Sequence, residues 1–269
     1  MIKSTFARGK LIIYVNLLAH TCMKKTIAII SLLLNVILLT GILEFTIKKG
    51  YLGRFLVMFN ANSIGLSTDT LSSSSWWLDE VDYQLYLTKN TQINACIWGD
   101  SITSGLGNTM GQDTFNFALP GMSTISLIEQ LKLLTAANVK CNTSIIAIGT
   151  NDAGYRINDP QFVNNMQEII RTVRTKMNTK KVVLIPAFYS TIEASHDITL
   201  AGSLERVKSI QALTRQVAAT DKLLIVEKEI QPLYEGTVLK DQVTTDGVHL
   251  DSEGRQIYRR ALLKILKGG

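Results

Sequence analysis

From residue 91 to the end of the chain, short apolar runs alternate with longer segments whose apolar residues recur at helical spacing. The runs show no alternation of polar and apolar positions, which is typical of strands that are buried on both faces. Strands that alternate with helices predict a parallel sheet covered on each side, a three-layer α/β/α fold. The predicted strands are 94–100, 114–121, 143–149, 181–188 and 222–228, and the predicted helices are 123–139, 160–177, 203–219 and 252–268.

An uncharged apolar run of 18 residues, 26–43, follows Lys24 and Lys25 near the N-terminus. At about 1.5 Å per residue, this is close to the shortest helix that crosses a hydrocarbon core of about 30 Å. The run is apolar on every face, which argues against a helix buried in a globular domain. No small-x-small cleavage site follows it, so we favour an uncleaved transmembrane signal anchor over a cleaved signal peptide.

The charges around this run predict its orientation. Five basic residues precede it and three closely follow it. This excess favours a cytoplasmic N-terminus, with the rest of the chain outside the cytoplasm as a single-pass protein of the cell membrane. Translation from Met23 instead of Met1 is an alternative that would remove residues 1–22.

Four segments follow from these patterns: a basic N-terminal segment (1–25), the anchor (26–43), a connector (44–90) and an α/β domain (91–269). Within the connector, the 72–87 stretch has the apolar spacing of a short amphipathic helix. We expect this helix to pack against the domain. The alternative is a contact with the membrane interface through its two adjacent tryptophans.

The positive net charge belongs to the N-terminus. Residues 1–54 hold eight basic residues and one acidic residue, whereas the remaining 215 residues hold 20 basic and 21 acidic residues. The domain therefore lacks the basic excess of a phosphate-binding groove, and we expect no nucleic-acid partner. The three cysteines, Cys22, Cys96 and Cys141, lack the spacing of a metal site, and we interpret them as unpaired thiols.

Residues with chemical potential follow four of the predicted strands, where ligands bind in open parallel sheets. Ser101 ends the sequence GDS after the first strand and is a candidate nucleophile. Gly121 ends the second strand, and Asn151 follows the third. Beyond the fifth strand, Asp246 stands three residues before His249, where its carboxylate could accept the Nδ1 proton and orient the imidazole.

Taken singly, each of these residues has a structural explanation, because Gly, Asn, Asp and Ser are common in turns. Together they supply the different parts of one reaction: a hydroxyl, an acid–base pair, and backbone and side-chain donors for an oxyanion. The chain lacks G-x-S-x-G around Ser101, so a nucleophile elbow of the α/β-hydrolase type is not indicated.

The four blocks resemble those of the SGNH hydrolases, also called the GDSL esterase/lipase family. In this chain they are GDS ending at Ser101, the glycine Gly121, GTND around Asn151, and DGVH ending at His249. The resemblance covers about residues 92–267. Ile102 stands where the family motif has Leu, and the block at the second strand is the loosest match. The resemblance implies a flavodoxin-like five-stranded sheet in the order 2-1-3-4-5.

It also implies a mechanism without a metal or cofactor. Ser101 attacks an ester carbonyl, His249 moves the proton, and Asp246 orients His249. The N–H groups of Ser101 and Gly121 and the amide of Asn151 hold the oxyanion. Together with the anchor, this chemistry favours O-acyl esters of lipids or surface carbohydrates as substrates. Small residues in the loops after the first and third strands favour a short acyl group such as acetyl; they are Gly105, Gly107, Ala153 and Gly154. Two alternatives stay open: an acyltransferase to a glycan hydroxyl, and a non-catalytic glycan-binding domain.

In this sheet order the strands that carry Cys96 and Cys141 are neighbours. The spacing to Ser101 and Asn151 puts the two cysteines about five residues out of step. Because each residue of a strand spans about 3.3 Å, we expect no disulfide between them.

Overall fold

The computed structural model describes residues 30–36, 38–41, 69–197 and 199–267. The chain divides into two compact units, Met1–Ser63 and Ile64–Gly269. In the first unit, residues 30–36 and 38–41 are helical and exposed. Within the described ranges, no helix is both long and apolar enough to cross a membrane.

Several predictions concern residues outside the described ranges. These are the two alternative start residues, the basic segment 1–25, both ends of the run 26–43, and the first part of the connector, 44–68. The anchor, its orientation and the four-segment division therefore stay predictions.

The second unit is built on a parallel five-stranded sheet with the strand order β2-β1-β3-β4-β5, as the family resemblance implied. Its strands are β1 (Gln92–Gly99), β2 (Thr114–Asn116), β3 (Lys140–Ala147), β4 (Lys181–Ile185) and β5 (Leu224–Ile225). A short antiparallel pair, β6 (Tyr234–Glu235) and β7 (Val238–Leu239), follows the sheet.

Helices connect the strands and bury the apolar residues of the central strands. They are α1 (Ser75–Thr88), α2 (Ser101–Ser104), α3 (Thr124–Ala136), α4 (Thr150–Gly154), α5 (Asp159–Lys176), α6 (Ile192–His196), α7 (Leu204–Thr220) and α8 (Ser252–Lys267). The second half of β1 and the last four residues of β3 are fully buried, which explains why these strands read as continuous apolar runs.

Strand β2 is shorter than the predicted range 114–121. Beyond Asn116, the chain still runs beside β1, since the N–H of Phe117 donates to the carbonyl of Ile97 at 2.8 Å. The N–H of Ala118, however, donates to the side chain of Asn116 at 3.1 Å. The N–H of Leu119 donates to the carbonyl of Gly99 at 3.2 Å, so the chain follows β1 to its end although the regular strand stops at Asn116.

The helix predicted in the connector is α1, and it packs into the second unit as expected. Ser74 caps it by accepting a hydrogen bond from the N–H of Trp77. Trp77 and Val81 are fully buried, whereas Trp76 is 43% exposed. A membrane contact through both tryptophans is therefore wrong for Trp77, whose side chain belongs to the core.

The expectation that Cys96 and Cys141 are unpaired is wrong, because they form a disulfide with Cα atoms 5.9 Å apart. The register places Cys141 opposite Ile93, three residues before Cys96 instead of five. Regular strands would still hold these Cα atoms about 11 Å apart, because three residues span about 10 Å and neighbouring strands lie about 4.8 Å apart. The short separation requires a local departure from regular spacing, and the ladder is interrupted between the cysteines, where Asn94 and Asn142 are not paired.

Candidate active site

A continuous chain of hydrogen bonds joins three of the predicted residues at the carboxyl end of the sheet. His249 Nε2 lies 2.9 Å from Ser101 Oγ. On the other side of the ring, His249 Nδ1 lies 2.6 Å from Asp246 Oδ2. A hydroxyl, an imidazole and a carboxylate in this order can pass a proton from the hydroxyl to the ring while the carboxylate stabilises the resulting charge.

Ser101 is held where β1 ends and α2 begins. Asp100 caps this short helix, and its Oδ1 accepts a hydrogen bond from the N–H of Ile102 at 3.0 Å. At Gly99, a Cβ would lie 2.6 Å from Thr103 Oγ1 and 2.8 Å from the carbonyl oxygen of Ala147. Only glycine fits this close approach, so the sequence GDS fixes the position of the serine through its two preceding residues.

The loop that carries His249 is fixed mainly by its own side chains. Asp246 Oδ1 accepts hydrogen bonds from the N–H groups of Val248 at 2.9 Å and His249 at 2.7 Å. Thr244 Oγ1 donates to the carbonyl of His249 at 2.6 Å and accepts from the N–H of Gly247 at 3.0 Å. One carboxylate therefore shapes the loop with one oxygen and holds the imidazole with the other.

The electrostatics of Asp246 agree with this double role. Partial burial by itself raises the pKa of this carboxyl, but the hydrogen bonds from the side chain and backbone of His249 and from the backbone of Val248 outweigh it. The pKa of Asp246 is therefore lowered, and the group is ionised at neutral pH. The site is open to solvent, with 49% of the His249 side chain and 41% of the Asp246 side chain exposed.

Gly121 and Asn151 are brought together in a second part of the site. Asn151 lies in the first turn of α4, and its Nδ2 donates to the carbonyl of Met122 at 2.9 Å. An amide nitrogen carries two hydrogens, so one remains for a ligand. Gly121 has φ +80°, and its carbonyl accepts a hydrogen bond from the hydroxyl of Tyr155 at 3.1 Å. The N–H of Leu119 donates to the carbonyl of Gly99, which ties this segment to the strand end before Ser101.

Two buried carboxyl groups, Asp100 and Asp152, adjoin the site and are not among the predicted site residues. Asp100 is 2% exposed, and its burial raises the pKa to about 6. Asp152, directly after Asn151, is fully buried and accepts hydrogen bonds from the N–H and the hydroxyl of Thr124. Both residues stand in the quoted motifs, GDS and GTND, and this position was the signal that could have identified them. Within the described ranges, no group of three or more His, Cys, Asp or Glu residues is arranged to hold a metal ion.

Comparisons with known proteins agree with this architecture. A family model described as the GDSL-like Lipase/Acylhydrolase family matches residues 97–257. A GDSL-like lipase from Bacteroides thetaiotaomicron has a similar structure (TM-score 0.60, 18% identity, 71% of this chain and 97% of that chain). A lipase/acylhydrolase from Enterococcus faecalis also does (TM-score 0.51, 20% identity, 65% of this chain and 96% of that chain).

These two structures support the fold, and a search of curated proteins gives no match. The family model spans more than half of the chain and includes all four sequence blocks. The protein belongs to the GDSL-like lipase/acylhydrolase family.

Proposed function

We propose that the protein is a serine esterase that hydrolyses O-acyl esters through an acyl-serine intermediate. The observation that carries the proposal is the hydrogen-bonded chain from Asp246 through His249 to Ser101, with distances of 2.6 Å and 2.9 Å. Family membership supports ester chemistry in general, and this chain of contacts supports the assignment of individual roles.

In the first half of the reaction, Ser101 Oγ attacks the ester carbonyl and His249 Nε2 takes the hydroxyl proton. Asp246, ionised at neutral pH, stabilises the imidazolium through Nδ1. The carbonyl oxygen becomes an oxyanion that the N–H groups of Ser101 and Gly121 and the free amide hydrogen of Asn151 stabilise. The imidazolium then gives its proton to the leaving alcohol, and the acyl group stays on Ser101.

In the second half, His249 takes a proton from water, which attacks the acyl-serine carbonyl through the same oxyanion site. Collapse of the intermediate releases the carboxylic acid and returns the proton to Ser101.

We further propose that the substrate is an acylated carbohydrate or lipid, with a short acyl group, reached outside the cytoplasm by a domain anchored through residues 26–43. The apolar run and its flanking charges support the anchor. The disulfide between Cys96 and Cys141 supports an oxidising compartment. The half-exposed His249 leaves room for a bulky alcohol such as a glycan.

The assignment is tested with the full-length chain in detergent and p-nitrophenyl acetate as substrate. Ser101→Ala is expected to lower kcat by about 10³-fold or more, because it removes the nucleophile. Ser209→Ala is the matched control, since this hydroxyl lies on α7 and donates to the carbonyl of Glu205. Equal rates for wild type and Ser101→Ala would contradict the proposal.

The two alternatives have readouts of their own. A fluorophosphonate probe should label Ser101 in the wild type, and failure to label would favour a non-catalytic glycan-binding domain. With a labelled acyl ester and added glycan, the label should appear as free acid. Its appearance on the glycan would favour an acyltransferase.

A further inference from the structure

Asp69, which precedes the region matched by the family model, is hydrogen-bonded to residues beside the candidate site. Asp69 is 7% exposed, and its Oδ2 accepts a hydrogen bond from the hydroxyl of Ser123 at 2.6 Å. The same oxygen accepts from the N–H groups of Ser123 at 3.4 Å and Ser126 at 3.3 Å. Ser123 is the N-cap of α3 and stands two residues after Gly121, and Ser126 lies in the first turn of this helix. A buried carboxylate therefore ties the connector to the second part of the site.

Leu71 is fixed in place by this attachment. Its N–H donates to Asp69 Oδ1 at 2.8 Å, and it opens the single 3-10 turn Leu71–Ser73. On the other side of the turn, the N–H and hydroxyl of Ser74 both donate to the carbonyl of Leu71. Helix α1 follows at once and is anchored by the buried Trp77. The leucine is held from both sides, although it lies in a connector.

The side chain of Leu71 lies against Gly121. Its Cδ2 is 3.6 Å and its Cδ1 4.0 Å from the position that a Cβ on Gly121 would occupy. The hydroxyl of Tyr155 lies 3.8 Å from the same position. Leu71 is only partly buried, so part of its side chain is accessible to a ligand. An apolar side chain therefore stands directly beside a glycine that we propose as an oxyanion donor.

The direction of the reaction identifies which part of an ester would meet this side chain. The leaving alcohol must face His249, which protonates it, and the carbonyl oxygen must face the oxyanion donors. The remaining acyl substituent therefore points away from His249. The loop of His249 contacts Thr191 and Ala194, whereas Leu71 contacts the Gly121 segment. Because Leu71 lies beside a proposed oxyanion donor and outside the hydrogen-bonded chain through His249, we assign it to the acyl side.

We propose that Leu71 is a specificity-determining residue that closes the acyl side of the site and restricts the substrate to short acyl groups. Asp69 is the positioning residue that holds it there. This inference rests on the proposed esterase function and names the feature that would select among esters.

The test compares kcat/KM for p-nitrophenyl acetate and p-nitrophenyl hexanoate, using full-length wild type, Leu71→Ala and Leu71→Phe. Leu71→Ala is expected to raise the hexanoate-to-acetate ratio about tenfold, because the removed atoms make room for methylene groups. Leu71→Phe should lower the ratio. A purely structural role would not shift the hexanoate-to-acetate ratio in opposite directions in the two variants. If the alanine variant does not fold, Leu71→Phe still tests the inference.

Leu78→Ala is the matched control, since this leucine lies on α1 in the same part of the chain and is 44% exposed. Its ratio should equal that of the wild type. Unchanged ratios in both Leu71 variants, with acetate hydrolysis intact, would overturn the inference and leave the esterase function standing. A wild type that hydrolyses no ester and is not labelled at Ser101 would overturn both.

Discussion

Asp152 and Asn151 are neighbours in one motif but have different roles, since Asp152 stabilises the fold and Asn151 faces the site. Asn151 has an amide hydrogen available for a substrate, whereas Asp152 points into the protein and is fully buried. Its two carboxyl oxygens accept hydrogen bonds from the N–H of Thr124 at 3.1 Å and 3.2 Å and from the hydroxyl of Thr124 at 2.5 Å. Asp152 therefore joins the start of α3 to the start of α4, and both helix starts adjoin the site.

The pKa of Asp152 predicts a dependence of stability on pH. Burial, which outweighs the hydrogen bonds from Thr124, and the nearby charge of Asp69 raise this pKa to about 7, from 3.8 in the unfolded chain. Between these values the folded chain keeps the proton and the unfolded chain loses it, so the free energy of unfolding falls as pH rises. Below about pH 4, Asp152 is protonated in both the folded and the unfolded chain. Above about pH 7 it is ionised in both, and the free energy of unfolding no longer changes through this group.

Asp152→Asn removes this titration. Relative to the variant, the wild type should therefore become less stable by an amount on the order of a few kcal/mol as pH rises from about 4 to 7. Urea unfolding of both proteins across this range measures the difference. A wild-type-minus-variant difference that stays constant with pH would contradict the prediction.

The residues of the proposed chemistry were predictable from the sequence. A serine, a histidine and an aspartate that each follow a strand of a parallel sheet are typical of a catalytic triad. Ser101, Asp246 and His249 were found from type and spacing, and the structure brings all three into contact. Asp152 stands within the block GTND, and this position indicates that it belongs to the site. Asp69 lies outside all four blocks. For such a residue, nothing in the sequence distinguishes a buried aspartate from one on the surface until the helices that cover it are placed.

At the scale of elements, the loop 244–250 depends on a close contact with α6. Gly247 has φ +82°, and a Cβ there would lie 2.5 Å from Thr191 Oγ1 and 2.7 Å from Ala194 Cβ. Its carbonyl also accepts a hydrogen bond from the N–H of Thr191 at 2.8 Å. Gly247→Ala must therefore displace the loop, and with it Asp246 and His249. We expect kcat for p-nitrophenyl acetate to fall by about 10²-fold, since small displacements of catalytic groups have such effects.

Gly236→Ala is the matched control, because it introduces the same kind of backbone strain without displacing the loop that carries His249. Gly236 lies between β6 and β7 with φ +61°, and a Cβ there would meet nothing within 4 Å. Its alanine variant should lose about 1 kcal/mol of stability from the unfavourable φ and keep its activity. Thermal unfolding and kcat of the two variants are compared together. Equal loss of activity in both would show that contact with α6 does not position the loop.

The sequence located long elements better than short ones. Helices α3, α5, α7 and α8 lie close to their predicted ranges, because each presents several turns of periodic apolar residues. The strand predicted over 222–228 contains only the two residues of β5. The pair β6 and β7 was not predicted, because two-residue strands are too short to show a periodic pattern.

At the scale of the whole unit, the α/β class followed from the alternation of apolar runs and helical segments, whereas the strand order followed only from the family resemblance. Periodicity shows that an element is buried but not which neighbour it pairs with. The disulfide was missed for a related reason. The distance between Cys96 and Cys141 was derived from ideal strand spacing, and the ladder is interrupted at Asn94 and Asn142.

The disulfide predicts how the unit responds to reduction. The bond joins residues 45 positions apart and links the neighbouring strands β1 and β3. Closing a loop of this length restricts the unfolded chain, which corresponds to about 4 kcal/mol of stability in the chain-entropy treatment. Cys96→Ala combined with Cys141→Ala should therefore lower the Tm and remove its dependence on reductant.

Thiol titration in denaturant should find one thiol per chain before reduction, from Cys22, and three after it. Three thiols before reduction, or a wild-type Tm that does not change with reductant, would contradict a stabilising disulfide between these strands.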